Sequence, residues 1–216
     1  HGQAMLARIC LQELLHFITE DSEKTLNDMF EHSKKATELD PQNPVSALMI
    51  STYYFFKGKF SQSRKYAEKA VELNPSYPEA YMRLAQAITH SGDYENSEEL
   101  LRKSVEINPL DPHAMGRKSN YFFIYMGQKD YQKAYELIEE VLEEDSNQGS
   151  YKGFKASVMG YLNKGDEAKT ALDEYLSLRP NLKTKDDYKK IFVPNSSLAD
   201  IIVEGLCRAG WEPNKS

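Results

Sequence analysis

The chain has 216 residues and 40% apolar content, enough for one large domain or two small ones around a continuous core. Its formal net charge of −6 excludes nucleic acid as the main partner, because phosphate binding needs a cationic surface to displace counterions. The acidic excess is spread along the chain, with 12 basic and 16 acidic side chains in residues 1–108 against 15 and 17 in the rest, so there is no charged tail.

The chain opens His1-Gly2 without methionine, which reads as a tag remnant joined to a fragment of something longer. Cys10 and Cys207 are its only cysteines and lie near opposite ends. Neither a disulfide framework nor a CxxC metal pair can be drawn from them, and a reducing, cytoplasmic setting is expected. Residues 10–41 match a repeat only in their second half, where Ala36 precedes Glu38-Leu39-Asp40-Pro41, and are expected to be a degenerate first unit. The apolar stretch Ala47 to Phe56 is interrupted by Ser51 and Thr52 and is too short to span a bilayer, so no membrane anchor is expected.

Glu38-Leu39-Asp40-Pro41 recurs as Glu72-Leu73-Asn74-Pro75 and Glu106-Ile107-Asn108-Pro109, so that Pro41, Pro75 and Pro109 are evenly spaced. A fixed period of this size, about 34 residues, means stacked supersecondary units. Each unit reads as two amphipathic helices, with Leu84 and Ile88 on the first and Leu100, Leu101 and Val105 on the second in the unit 78–109. One pair cannot hide its apolar stripe alone, so neighbours must stack and the ends need polar-faced caps.

The segment from Pro78-Glu79-Ala80-Tyr81 through Gly92-Asp93-Tyr94 to Asn108-Pro109 resembles a tetratricopeptide unit almost position by position. The unit 44–75 repeats it with Tyr54, Gly58, Phe60, Ser63, Ala67 and Ala70. Units 112–146 and 148–180 are looser, carrying Gly127, Tyr131 and Ala134, then Ala156, Gly165, Ala168 and Leu172. Pro180 lies three positions beyond two full periods from Pro109, which predicts an extra turn near Met126 to Asp130. The resemblance implies an all-α fold over residues 3–180, a right-handed superhelical solenoid of about five helix-turn-helix pairs.

Residues 181–212 form a linker and a last helix. Asn195-Ser196-Ser197 offers an N-cap, Leu198, Ile201, Ile202 and Leu206 an apolar stripe, and Gly210 a stop, which predicts a capping helix over Leu198 to Arg208. Leu178-Arg179-Pro180-Asn181, Tyr188 to Val193, Ser197 to Asp200 and Glu204-Gly205-Leu206-Cys207-Arg208-Ala209-Gly210 together resemble the end of bacterial class III adenylate cyclases that carry tetratricopeptide repeats. A related group couples such repeats to a winged-helix transcription domain. Cys207, Trp211 and the basic linker Lys183 to Lys190 depart from that pattern, and no cyclase catalytic segment is present. This resemblance implies the regulatory or scaffolding end of a multidomain signalling protein.

No Gly-rich phosphate loop, HExxH, GxSxG or clustered His and Cys occurs, so no catalytic residue, metal or cofactor is expected. His16, His32, His90 and His113 are scattered, and the acidic run Glu139 to Asp145 reads as a solvated helix face. The first helices of stacked pairs line a concave groove suited to a peptide or helix. Arg83, Gln86 and His90 share one helix face there, and one period later Arg117 and Asn120 repeat the Arg-x-x-amide pattern. Thr52 and Phe55 from the preceding unit and Phe123 from the following one complete the candidate binding set, although any of these positions could be ordinary solvated helix surface.

Guanidinium groups, amides and an aromatic rim suit an acidic, partly apolar protein or peptide. The carboxylate clamp of tetratricopeptide co-chaperones is not expected. Its lysine and asparagine places hold Leu48 and Thr52, the next two hold Arg83 and His113, and only Arg117 agrees. The aromatic rows Tyr53 to Phe56 and Tyr121 to Tyr125 cannot all face inward, which makes homodimerisation a second expectation. The sequence therefore reads as a protein-interaction module. The rivals are a free-standing adaptor or assembly factor and, from another class, an enzyme with an unrecognised site in the groove.

Overall fold

The computed structural model describes residues 2–15, 18–109, 114–144, 149–190 and 193–214, the side chains of 114–117 excepted. All regular structure among them is helical. In chain order the helices are α1 (Gly2–Leu15), α2 (Ser22–Leu39), α3 (Pro44–Phe56), α4 (Phe60–Leu73), α5 (Pro78–His90) and α6 (Tyr94–Ile107). There follow α7 (Ala114–Gln128), α8 (Tyr131–Glu144), α9 (Gly149–Tyr161), α10 (Gly165–Ser177), the short α11 (Lys185–Lys189) and α12 (Ser197–Arg208). This is a helical repeat solenoid, as the regular spacing of the prolines requires.

Local chemistry sets the helix ends. The Asn43 side chain accepts hydrogen bonds from the main-chain N–H groups of Val45 and Ser46, with Pro44 in the first turn of α3. Asp21 accepts from Lys24 N at the start of α2, and Ser196 accepts from Leu198 N at the start of α12. The first pair extends further back than its repeat signature: α1 begins at Gly2, well ahead of residue 10, and a wider gap than in later pairs separates it from α2.

The turn inside each later pair holds one residue in the left-handed region: Gly58, Gly92, Lys129 and Asn163. The first and last of these intervals equal the period of the prolines, and the middle one is three positions longer. The second helices keep that register. Ser63, Ser97, Ala134 and Ala168 are all buried, as are Ala67, Leu101, Ile138 and Leu172. The first helices follow it too, with Ser51, Ala85, Phe122 and Ala156 buried. Because the positions fixed to the turn already carry the longer interval at Phe122, the extra residues enter ahead of the core stretch of α7. The expected extra turn at Met126 to Asp130 is corrected accordingly. Gly127 also changes role: a methyl there would strike the Tyr94 ring, so it is a contact glycine, and Lys129 takes the left-handed turn position.

The chain divides into two compact units. The first comprises residues 1–88 and 99–109, the second 89–98 and 110–216. In the first, Ala7, Leu11, Leu26, Met29, Leu48 and Met49 build one cluster and Ala67, Leu84 and Ile88 another. Here α3 is enclosed: Tyr53 stacks on Phe30 of α2 at 4.1 Å, and Tyr54 stacks on Tyr66 of α4 at 5.6 Å. The four consecutive aromatics are thus shared among neighbouring helices of the same unit. On the far side of the pair, α1 exposes Met5, Leu6 and Ile9.

In the second unit, Phe122, Met126, Ile138, Val141, Val158 and Leu172 form a core that continues into Ile202, Val203 and Leu206 of α12. The capping helix expected from the sequence is present, and Gly210 adopts φ +106 just past its end. Main chains of α9 and α12 meet closely at Gly160 and Gly205. There the Ser157 hydroxyl donates to the Ile202 carbonyl at 3.0 Å and the Tyr161 hydroxyl to the Ile201 carbonyl at 2.9 Å.

Candidate functional site

The residues expected in the groove fall into the two units and behave differently from one another. In the first unit, Thr52 is buried and its hydroxyl donates to the Leu48 carbonyl at 2.9 Å, so its proton is used within the helix and its burial keeps it from a ligand. Phe55 is also buried, with its ring against Phe56 and Phe60. The Arg83 guanidinium lies over Phe55 at 4.7 Å from the ring centroid and over Phe56 at 5.9 Å. Its Nε is shielded from solvent and meets no acceptor among the described residues, and one helical turn on, the side-chain oxygen Oε1 of Gln86 is shielded and meets no donor.

Desolvation draws the Arg83 guanidinium down to about 10, still charged at neutral pH. No described carboxylate faces Arg83, whereas the nearest acid along its own helix, Glu79, is engaged by Arg8 at 3.1 Å. A charged group in this position is costly unless it is paired. Its position over two aromatic rings offsets part of that cost through cation–π attraction.

In the second unit, His90 is buried and its Nδ1 lies 2.8 Å from the Ser196 hydroxyl, the group that caps α12. His90 thus holds the tail helix in place, and its edge-on contact with Phe123 at 6.0 Å completes a packing role. Phe123 lies among Phe122 and Phe154, and Asn120 is buried. The side chain of Arg117 lies outside the described residues. Counted from the left-handed turn, moreover, the residue in the place of Arg83 is Asn120, not Arg117, and the residue in the place of Gln86 is Phe123. The Arg-x-x-amide repeat came from counting one regular period across the longer interval.

Two features escaped the sequence reading. Phe56 joins Phe55 beneath Arg83, although only its place in an aromatic run marked it. A groove of about 500 Å³ in the second unit has Lys152 and Lys155 of α9 on one wall and Glu167 and Glu174 of α10 on the other. Lys155 reaches Glu139 at 2.6 Å, and Lys118 pairs with Glu140 and Glu144, so part of the acidic run binds lysines instead of being fully solvated. Among the described residues, no group of three or more His, Cys, Asp or Glu is placed to hold a metal ion, and no helix is long and apolar enough to cross a membrane.

Residues 48–112 match the tetratricopeptide repeat family model. A search of curated proteins finds no match. Among solved structures, the chain is similar to a thermophilic TPR protein in Thermus thermophilus, at TM-score 0.62 and 15% identity, over 95% of this chain and 99% of that one. It is similar to residues 41 to the end of MamA from Desulfovibrio magneticus RS-1, at TM-score 0.61 and 14% identity, over 84% and 97%. A Thermobaculum terrenum O-GlcNAc transferase gives TM-score 0.51 and 14% identity over 67% of this chain and only 27% of the enzyme. At these identities the likeness is one of fold, and the matched segment carries the repeat signature.

Proposed function

We propose that this chain is a protein-interaction module that holds a protein or peptide segment and leaves chemistry to its partner or to another domain. The observation that carries this reading is the contrast between positions that repeat and positions that vary. Packing places recur from pair to pair as small or apolar residues, whereas the place filled in the other pairs by the buried Met49 and Asn120 and by Phe154, stacked on Phe122, holds in the second later pair Arg83, a charge that no described acid compensates. A repeat that keeps its packing and sets an uncompensated charge on one pair has that pair to offer a partner.

The tail signature supports a finer reading, the C-terminal regulatory or scaffolding region of a multidomain bacterial signalling protein of the adenylate cyclase kind, working in the cytoplasm. The packing of α12 tempers that support. Gly205, Leu206, Ala209 and Gly210 each have a structural reason to be there, so a free-standing adaptor would need the same residues. The coding sequence upstream of Gln3 separates the two: a cyclase domain favours the first, an unrelated or absent domain the second. Homodimerisation is a further possibility that sedimentation equilibrium decides.

The module reading is tested by affinity capture followed by cross-linking mass spectrometry. A single partner cross-linked to lysines of the repeats supports it. Turnover of a small-molecule substrate by the chain alone, with no captured protein, would replace it with the enzyme reading.

A further inference from the structure

Arg83 presents an unusual combination. Its guanidinium lies over the Phe55 ring at 4.7 Å and over the Phe56 ring at 5.9 Å, its Nε is shut off from water, and no acid among the described residues compensates its charge. The rings attract the cation but offer no hydrogen-bond acceptor, so the N–H groups of the guanidinium keep their bonding capacity for a ligand. Gln86, three residues on, shares the same helix face, and its side-chain oxygen is shielded from water and meets no donor. A donor fork beside a lone acceptor is complementary to an acidic amino-acid residue in a peptide, which offers a carboxylate and a main-chain N–H a few ångströms apart.

We propose that Arg83 and Gln86, backed by Phe55 and Phe56, form an anchor in the first unit for an acidic peptide residue, with its carboxylate on the guanidinium and its main-chain N–H on Gln86 Oε1. The proposal rests on the module reading above. It differs from the lysine-based co-chaperone clamp, whose places Leu48 and Thr52 are buried here. A single carboxylate suits the site better than a phosphate dianion, because Arg83 is the one cation over these two rings among the described residues.

The test follows the Arg83 Nε–H signal by ¹⁵N NMR during titration with three peptides. The first is acetyl-Leu-Asp-Leu-Glu-Leu-Asp-amide, the second its Asn/Gln counterpart with a free C-terminal carboxylate, the third the same counterpart amidated. A saturating shift with the first assigns the anchor to side-chain carboxylates, and with the second to a chain terminus. The amidated neutral peptide should leave the signal unmoved.

Arg83→Met and Arg83→Lys, checked for fold by circular dichroism, should each bind the active peptide at least tenfold more weakly. No shift with either acidic peptide, an equal shift with the neutral one, or full affinity in Arg83→Lys would overturn the proposal. If Arg83→Met still captures the partner of the wild-type protein undiminished, the anchor fails while the module stands. Absence of any partner for the wild-type protein sinks the module as well.

Discussion

Gly160 and Gly205 sit main chain against main chain, so that a methyl group on Gly160 would run into the Gly205 carbonyl and come within 2.8 Å of Ala209 N. Backbone cannot move aside as a flexible side chain can. Gly160→Ala or Gly205→Val should therefore lever α12 off α9, exposing Leu198, Ile202 and Leu206, and cost about 3 kcal/mol or more. Gly149→Ala, where the nearest atom would be 3.9 Å away, is the matched control and should not lower the urea midpoint.

The Ser196 hydroxyl has two partners, His90 Nδ1 at 2.8 Å and Leu198 N at 3.2 Å. Ser196→Ala removes the cap and leaves a buried imidazole nitrogen short of a partner. A loss of about 1–2 kcal/mol is expected. Hydrogen exchange should show it first in residues 197–200, and unchanged exchange there would argue against the latch.

Arg83→Met should raise the urea midpoint of the first unit. The substitution keeps an unbranched apolar stem against Phe55 and removes a desolvated, unpaired charge, a change worth about 1 kcal/mol in favour of folding. A lowered midpoint would mean that the cation–π contact outweighs the desolvation cost.

Tyr77 gives the first unit an alkaline limit. Burial pushes its hydroxyl up from 10.0 to about 12, against the opposing effect of Arg8. The neutral form is favoured in the folded state, so the stability difference is intact below pH 10 and is lost as pH climbs from there through about 12. Between pH 9 and pH 11 the wild-type midpoint should fall more than that of Tyr77→Phe. Parallel curves would remove the assignment.

Lys129 occupies at φ 63 a place that Gly58 and Gly92 fill in the earlier pairs. Lys129→Gly should relieve left-handed strain and stabilise the second unit by up to about 1 kcal/mol, read as a higher melting temperature. Gly58→Lys should do the reverse in the first unit.

Most of the fold was legible because packing obeys a period. Ala67, Ala70, Leu84 and Ile88 lie at helical spacing in units marked off by the evenly spaced Pro41, Pro75 and Pro109, and the tail helix announced its own cap, stripe and stop. The site was less legible for two physical reasons. Sequence counting assumed an even period, so Arg117 was aligned with Arg83 across the one interval that is longer than the rest. It also could not distinguish a polar residue facing a groove from one satisfied inside, as Thr52 is by Leu48 and His90 by Ser196. Arg83 and Gln86 stand apart because no partner satisfies their shielded atoms, a property of three-dimensional surroundings that no single sequence displays.

The outer face of α1 also makes the protein report on its own state. Met5 is 56% exposed, while Met29, Met49, Met126 and Met159 are buried. Dilute peroxide should therefore convert Met5 to its sulfoxide long before those four. Whatever comes to lie on that helix would slow the conversion, so the oxidation rate of one side chain, followed by mass, tells an open face from a covered one without any knowledge of what covers it.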